Sequence, residues 1–415
     1  MIVESLLTRI ARRACARAMY FREESGFTVS PNRGGSDRLL YLHVPFCESL
    51  CPYCSFHRVV FDAPLCTRYF RALRREIELY ADRGYEFTGL YVGGGTPTIM
   101  IDELVDTIAW AKKHFNIREI SVETNPNHVT DETAALLVEA GVNRLSVGVQ
   151  SFNDTLLRAM GRYDKYGSGV EIERRLDSVR GRFDTVNADM IFNFPTQSDE
   201  ILRRDCVILC DSGVDQVTYY PLMVSDSTRA TVESTLGRVD YGREKRCYSL
   251  IVDELCREFH AVSAWCFSRR DSMIDEYIVD YDEYAGLGSG SIGYFDGCCY
   301  ANTFRIGEYC DRVMKGEIPI VGVRRFSRRE QMRYDFLMKF FGLSVPGAFF
   351  REKYGSSPLA ALWKEILAFS LSGGIRYKND VGQVTRRGRY FGVVMMREFF
   401  IAVNNFRDFF RSGQC

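Results

Sequence analysis

Cys47, Cys51 and Cys54 form a C-x3-C-x2-C run in YLHVPFCESLCPYCSFH, directly after a stretch whose apolar pattern predicts a strand. Three thiolates ligate three irons, whereas iron–sulfur clusters commonly take four cysteines. With no fourth cysteine close by, one iron of a [4Fe–4S] cluster is left open to the amino and carboxylate groups of a ligand such as S-adenosylmethionine (SAM). Reductive cleavage of SAM there would give a 5′-deoxyadenosyl radical that abstracts hydrogen from unactivated carbon. A zinc site, which prefers four ligands and paired C-x2-C units, and three unrelated buried thiols are the competing readings. The spacing, the strand-end position and the motifs further along favour the cluster.

Polar groups recur at the ends of later apolar runs. In GGGTPT, Gly94 and Gly95 let the backbone approach a ligand closely, and Thr96 adds a hydroxyl. Glu123 ends the next run, where a carboxylate accepts hydrogen bonds from ammonium or ribose groups. Gln150 and Asp189 end the two after that, so successive tips present polar groups toward one rim. His57, three residues past the last cysteine, is a candidate acid, base or hydrogen-bond donor toward the substrate, or else a packing histidine. His43 reads as strand-end packing.

The elements that must position these residues alternate. Apolar runs at 39–44, 89–95, 119–124, 144–149, 185–192 and 215–220 are separated by helical stretches such as 62–83, 101–115, 130–140, 153–160 and 197–212. Crossovers of that length join parallel strands. The expected fold class is α/β: a partial parallel (β/α)6 TIM-like barrel, or a doubly wound sheet, with active residues at the strands' C-terminal ends. The alternation fades beyond about residue 225. The expected division is 1–38 as an N-terminal amphipathic helix and lead-in, 39–295 as the core, 296–325 as a connecting segment and 326–415 as a helical C-terminal domain.

With YLHVPFC, GGGTPT, ETNPNHVT, RLSVGVQSF and NADMIFNFP in order, the chain resembles the family of the oxygen-independent coproporphyrinogen III oxidase, the HemN-like radical SAM proteins, from about residue 39 to 295. The resemblance implies a [4Fe–4S] cluster and two SAM molecules. Tyr41, Gly94 and Glu123 would contact the cluster-bound SAM. Tyr53, Gly95, Thr96, Gln150, Arg162 and Asp189 match positions that contact a second, and Ile292 matches a further contact position. The oxidase carries another cysteine shortly after its third ligand, where this chain has Ser55, Phe56 and His57. The haem-trafficking branch carries an H-N-x-x-Y-W segment where this chain reads DEYIVDYDEYAGLGSGSIGY. The resemblance therefore leans to the class C radical SAM methyltransferases, which act on conjugated or aromatic substrates, a menaquinone-type ring among them. Oxidative decarboxylation in haem biosynthesis is the alternative, and haem carriage the third reading. An electron donor such as flavodoxin or ferredoxin is implied.

Bulk properties narrow the partners. Lys plus Arg and Asp plus Glu both number 54, so charge gives no reason to expect nucleic acid. The fourteen cysteines are mostly scattered singly in apolar runs, as in a reducing cytoplasm. Residues 4–22 form a basic amphipathic helix, and 389–411 sets Phe399, Phe400, Phe406, Phe409 and Phe410 among Arg397, Arg407 and Arg411. Both segments suit docking on the main domain, with peripheral membrane contact as the second reading. The expected substrate is a small hydrophobic molecule or a tetrapyrrole.

Overall fold

All six anticipated strands form in the computed structural model, which describes residues 2–23, 37–270, 274 and 277–412. Strands β1 (Leu39–Val44), β2 (Gly89–Gly94), β3 (Glu119–Thr124), β4 (Arg144–Gln150), β5 (Thr185–Phe192) and β6 (Gln216–Pro221) lie side by side in chain order, each parallel to its neighbour. Their apolar runs are buried almost without interruption, as strands covered on both faces must be. The crossover helices start on side-chain caps. Asp62 accepts from the Leu65 N–H ahead of Ala63–Ala81, Thr130 from Thr133 ahead of Asp131–Glu139, and Ser198 from Ile201 ahead of Asp199–Asp211.

The sheet is mixed and wider than the six runs. A seventh parallel strand, β7 (Tyr284–Leu287), pairs with β1. Beyond it Ile292–Phe295, Cys298–Asn302, Ile320–Arg325 and the short Arg22–Glu23 run antiparallel. On the other flank Cys266–Ser268 and His260–Ala261 continue antiparallel from β6, giving thirteen strands in an open, linear order among the described residues. Residues 296–325 thus carry two strands and the helix Ile306–Met314, with Tyr309 and Val313 buried. Of the lead-in up to residue 38, residues 24–36 lie outside the described ones.

The C-terminal helix, Arg386–Ser412, reaches both flanks of this open sheet. Phe400 meets Trp265, beside the β6 flank, at 5.6 Å between ring centroids, and Phe406 meets Phe304, just after Cys298–Asn302, at 6.2 Å. Each such side chain contributes about 1.5–3 kcal/mol when fully buried. Before it come the helix Arg328–Phe341, opened by a Ser327–Glu330 capping box, and a small antiparallel sheet of Ser344–Pro346, Ile375–Lys378 and Val381–Val384. The basic helix Ile2–Ala18 docks along the C-terminal helix, tied by Arg12 to Glu398 at 2.7 Å. Most of the phenylalanine-rich segment packs inward, with Phe406 buried and Phe399 and Phe400 against the core, while Phe409 is half exposed. The Arg411 side chain lies outside the described residues. No helix among the described residues is long and apolar enough to cross a membrane.

Candidate active site

The C-terminal ends of the parallel strands open into a cavity of about 690 Å³. Cys47, on the two-residue strand Phe46–Cys47 that follows β1, borders it together with Cys51 and Cys54. The loop is braced from inside. The Cys54 N–H donates to the Cys51 carbonyl, and the buried Arg58 guanidinium donates to the carbonyls of both Cys51 and Cys54. Gly95 is required here: a Cβ would sit 2.6 Å from the Phe46 carbonyl oxygen and 3.0 Å from Cys47 Sγ. Its neighbour Gly94 has φ +121°, in the region that favours glycine.

The three thiols suit a cluster. They share one cavity, and Cys47 has Cys51 and Cys54 as electrostatic neighbours. Among the described residues no three His, Cys, Asp or Glu side chains converge as ligands of a single ion do. A cluster, by contrast, spreads its thiolates over separate irons. Burial pushes the Cys47 thiol up to about 11, against a hydrogen bond from Thr96 that lowers it. Cys15 and Cys299 also border the cavity, but their charged neighbours are Glu398 and Cys298.

Each strand tip holds its polar group in a fixed role. Tyr41 Oη donates to His43 Nδ1 at 2.9 Å, because His43 Nε2–H is already given to the His57 carbonyl at 2.9 Å. Burial drives the His43 ring down to about 4, so it stays neutral and the Tyr41 oxygen remains an acceptor toward the cavity. Glu123 accepts from Tyr91 Oη and from the Gly94 N–H, both at 3.0 Å. Asp189 accepts from Ser146 Oγ and Asn187 Nδ2, each at 2.9 Å. Gln150 ends β4 after a register shift and with φ +73°, a left-handed conformation for a non-glycine residue at a strand tip. Arg162 is buried and donates to the Gly148 carbonyl, to Asn125 Oδ1 at 3.2 Å and to Tyr53 Oη at 3.4 Å, with Cys51 Sγ at 3.9 Å.

The cavity wall therefore brings together Tyr41, Cys47, Cys51, Tyr53, Cys54, Gly94, Gly95, Glu123, Gln150, Arg162, Asp189 and Ile292. Two of the residues singled out from sequence stand off it. Thr96 lies just behind, its hydroxyl 3.7 Å from Cys47 Sγ and accepting from Asn125 Nδ2 at 2.8 Å. His57 is buried away from the cavity, its Nε2 3.2 Å from Ser289 Oγ and its ring between those of His43 and Phe304. In this placement the ring packs: it is 2% exposed and off the cavity wall. Residues not singled out also matter. Asn125 links Thr96 to Arg162, a role readable from its place two residues after Glu123. Tyr277 stacks on Tyr41 at 5.6 Å, with no local pattern to mark it.

Comparison with known proteins agrees with this geometry. Residues 41–205 match the family profile of the radical SAM superfamily. The heme chaperone HemW of Bacillus subtilis (strain 168) is 28% identical over 371 residues, covering 85% of this chain and 96% of its own length. The oxygen-independent coproporphyrinogen III oxidase of Bradyrhizobium diazoefficiens is 35% identical over 173 residues, 40% of this chain and 38% of its own. Among solved structures, coproporphyrinogen III oxidase (HemN) from Escherichia coli, a radical SAM enzyme, superposes with a TM-score of 0.75 at 19% identity over 92% of this chain and 95% of its own, a likeness of fold. Cysteine loop, strand-tip cavity, sheet and relatives all lead to the same reading: residues 41–205 carry a radical SAM domain, of the kind that uses a [4Fe–4S] cluster and SAM, within a HemN-like fold.

Proposed function

We propose that the protein is a radical SAM enzyme whose substrate is a tetrapyrrole. The observation that carries this reading is the joining, in one cavity, of the cysteine loop with an aromatic wall that includes Tyr41, Tyr277, Tyr220, Trp265, Phe399 and Phe400. A volume of about 690 Å³ is in the range of pockets that enclose a large organic ligand. The relatives support the class, since one is named for haem and another for coproporphyrinogen. Methyl transfer to a conjugated ring, the reaction toward which the sequence leans, draws no support from these relatives, and oxidative decarboxylation fits them better.

When bound, the cluster and SAM supply a 5′-deoxyadenosyl radical that takes a hydrogen atom from the substrate. Cys47, Cys51 and Cys54 would hold three irons. Tyr41 and Glu123 would accept from the amino or ribose groups of SAM, each already oriented by its own neighbour. Gln150, Asp189 and Arg162 would form a second polar subsite on the far side of the loop, and Ile292 an apolar contact. The aromatic wall excludes water, which protects a carbon radical from side reactions.

The test is anaerobic incubation of reconstituted protein with SAM, dithionite and either coproporphyrinogen III or haem, followed by mass spectrometry. Tetrapyrrole-dependent 5′-deoxyadenosine and a changed tetrapyrrole mass are expected, with carbon dioxide release if the reaction is decarboxylation. Haem held tightly without turnover would place the protein with carriers. S-adenosylhomocysteine and a methylated quinone, with tetrapyrroles inert, would overturn the proposal in favour of methyl transfer.

A further inference from the structure

Among the described residues, three cavity arginines keep an unpartnered N–H group, Arg58, Arg162 and Arg407, and only Arg407 comes from the C-terminal helix. Arg407 projects from the C-terminal helix into the cavity, its guanidinium carbon 5.0 Å from the centre of the Phe56 ring in the cysteine loop. Its Nη1 donates to Asn404 Oδ1 at 3.1 Å, one turn back on the same helix, and its Nε has no hydrogen-bond partner among the described residues. The other arginines bordering the cavity are each held by two acceptors, ion-paired or exposed, although Arg58 and Arg162 also retain unpartnered N–H groups. Arg58 braces the loop carbonyls, Arg162 braces Gly148 and Asn125, Arg333 pairs with Glu365 at 2.8 Å, and Arg17 is exposed.

Among the described residues no acid of the cavity forms an ion pair with Arg407. Glu123 and Asp189 are held at their strand tips, and Glu330 serves the Ser327 cap and Arg324. The adjacent Asp408 turns away to accept from Ser225 and Ser227. The groups that Arg407 faces are the Tyr41 and Tyr277 phenols, the Cys54 sulfur and, on its own helix, Asp408. Burial weakens the guanidinium's hold on its proton, and no carboxylate among the described residues hydrogen-bonds to it. A carboxylate entering the cavity would offset that burial and take up the free N–H donors.

We infer that Arg407 anchors a carboxylate of the substrate at the cluster end of the cavity, which makes it a specificity-determining residue. The inference rests on the tetrapyrrole reading, since such rings carry carboxylate arms. It is tested on full-length, reconstituted, SAM-loaded protein by anaerobic fluorescence binding of coproporphyrin III and of its tetramethyl ester, which keeps the ring and removes the charges. The parent should bind the acid about tenfold more tightly than the ester, the worth of one charge-assisted contact. Arg407→Gln should lose that preference by weakening the acid alone, and Arg407→Lys should keep part of it. SAM affinity and iron content should stay at parental values in both.

Equal affinity of the parent for acid and ester would overturn the inference and leave the tetrapyrrole reading standing. So would an Arg407→Gln protein that still prefers the acid, or one whose SAM affinity moves while the preference stays. A parent that binds neither coproporphyrin nor haem would overturn both.

Discussion

Two arginines on the C-terminal helix occupy opposite situations. Arg397 is 1% exposed and donates to Glu244 and Glu398, both fully enclosed. Glu398 also receives Arg12 from the N-terminal helix, and Glu244 receives Tyr390 Oη. Burial raises the Glu244 carboxyl, and Arg397 pulls it back toward ionisation. Every charge in that region answers another, and the network ties three helices. Arg407, further along the same helix, forms no ion pair among the described residues. A polar group saturated by its own protein holds structure, whereas one left unsaturated at a cavity is poised for a ligand.

The most severe way to break this comparison is at the cysteine loop. Cys51→Ala should lose the cluster, seen as loss of iron and of visible absorbance, and drop SAM cleavage to background, with far-ultraviolet circular dichroism unchanged. If iron loading persisted, the cavity would not be the site of the cofactor. Next is the pairing itself. Arg397→Met should cost about 3–5 kcal/mol in chemical denaturation, because it strands the buried Glu244 carboxylate and leaves Glu398 only the largely exposed Arg12. Arg407→Met should change stability by about 1 kcal/mol or less, because nothing is stranded. Equal losses at both sites would erase the distinction.

Much of this was legible in the sequence, for reasons that differ along the chain. The strands β1 to β6 announce themselves because each is an apolar run broken by glycine or a helix cap, and their polar tips follow from where the runs end. β7 is hidden: Tyr284–Leu287 is four residues long and merges into GLGSGSIG, which reads as a turn. Pairing with β1, more than 200 residues earlier, makes it a strand, and no local period encodes that. His57 illustrates the converse. Its distance from Cys54 is right for a site residue, but the loop turns the ring toward Ser289 and Phe304. Arg407 is visible as an arginine among phenylalanines, yet only the packing of that helix across the sheet decides that its head meets Phe56 rather than solvent.

A third region sharpens the comparison, since it has a buried carboxylate with no cation at all. Glu76 accepts from Tyr309 Oη, the Gly288 N–H and Asn302 Nδ2. Burial nevertheless raises it from 4.5 to about 7. The folded protein then keeps a proton between about pH 4.5 and pH 7 that the unfolded chain releases, so stability falls as pH rises through that window. Across it the stability difference between parent and Glu76→Gln should shift by about 3 kcal/mol, the variant gaining toward pH 7. Urea denaturation at a series of pH values reads this directly, and parallel profiles for the two proteins would show that Glu76 ionises normally.

The smallest expected effect lies at the outer edge of the paired network. Arg12 is 61% exposed on its side chain while its partner Glu398 is fully enclosed, so water already solvates one half of the bridge. Glu398 retains Arg397 when Arg12 is removed, so no buried charge is stranded. Arg12→Ala should therefore cost only about 1 kcal/mol, and less in high salt, as an exposed ion pair does. The same helix places Ala14, Cys15 and Ala18 on the cavity wall, so its docking also bears on access to the site. If Arg12→Ala left stability nearly intact but raised the KM for the tetrapyrrole, the N-terminal helix would be a cover over the cavity rather than a support of the fold. A loss as large as that of Arg397→Met would instead make Arg12 an equal member of the network and move its boundary out to the surface.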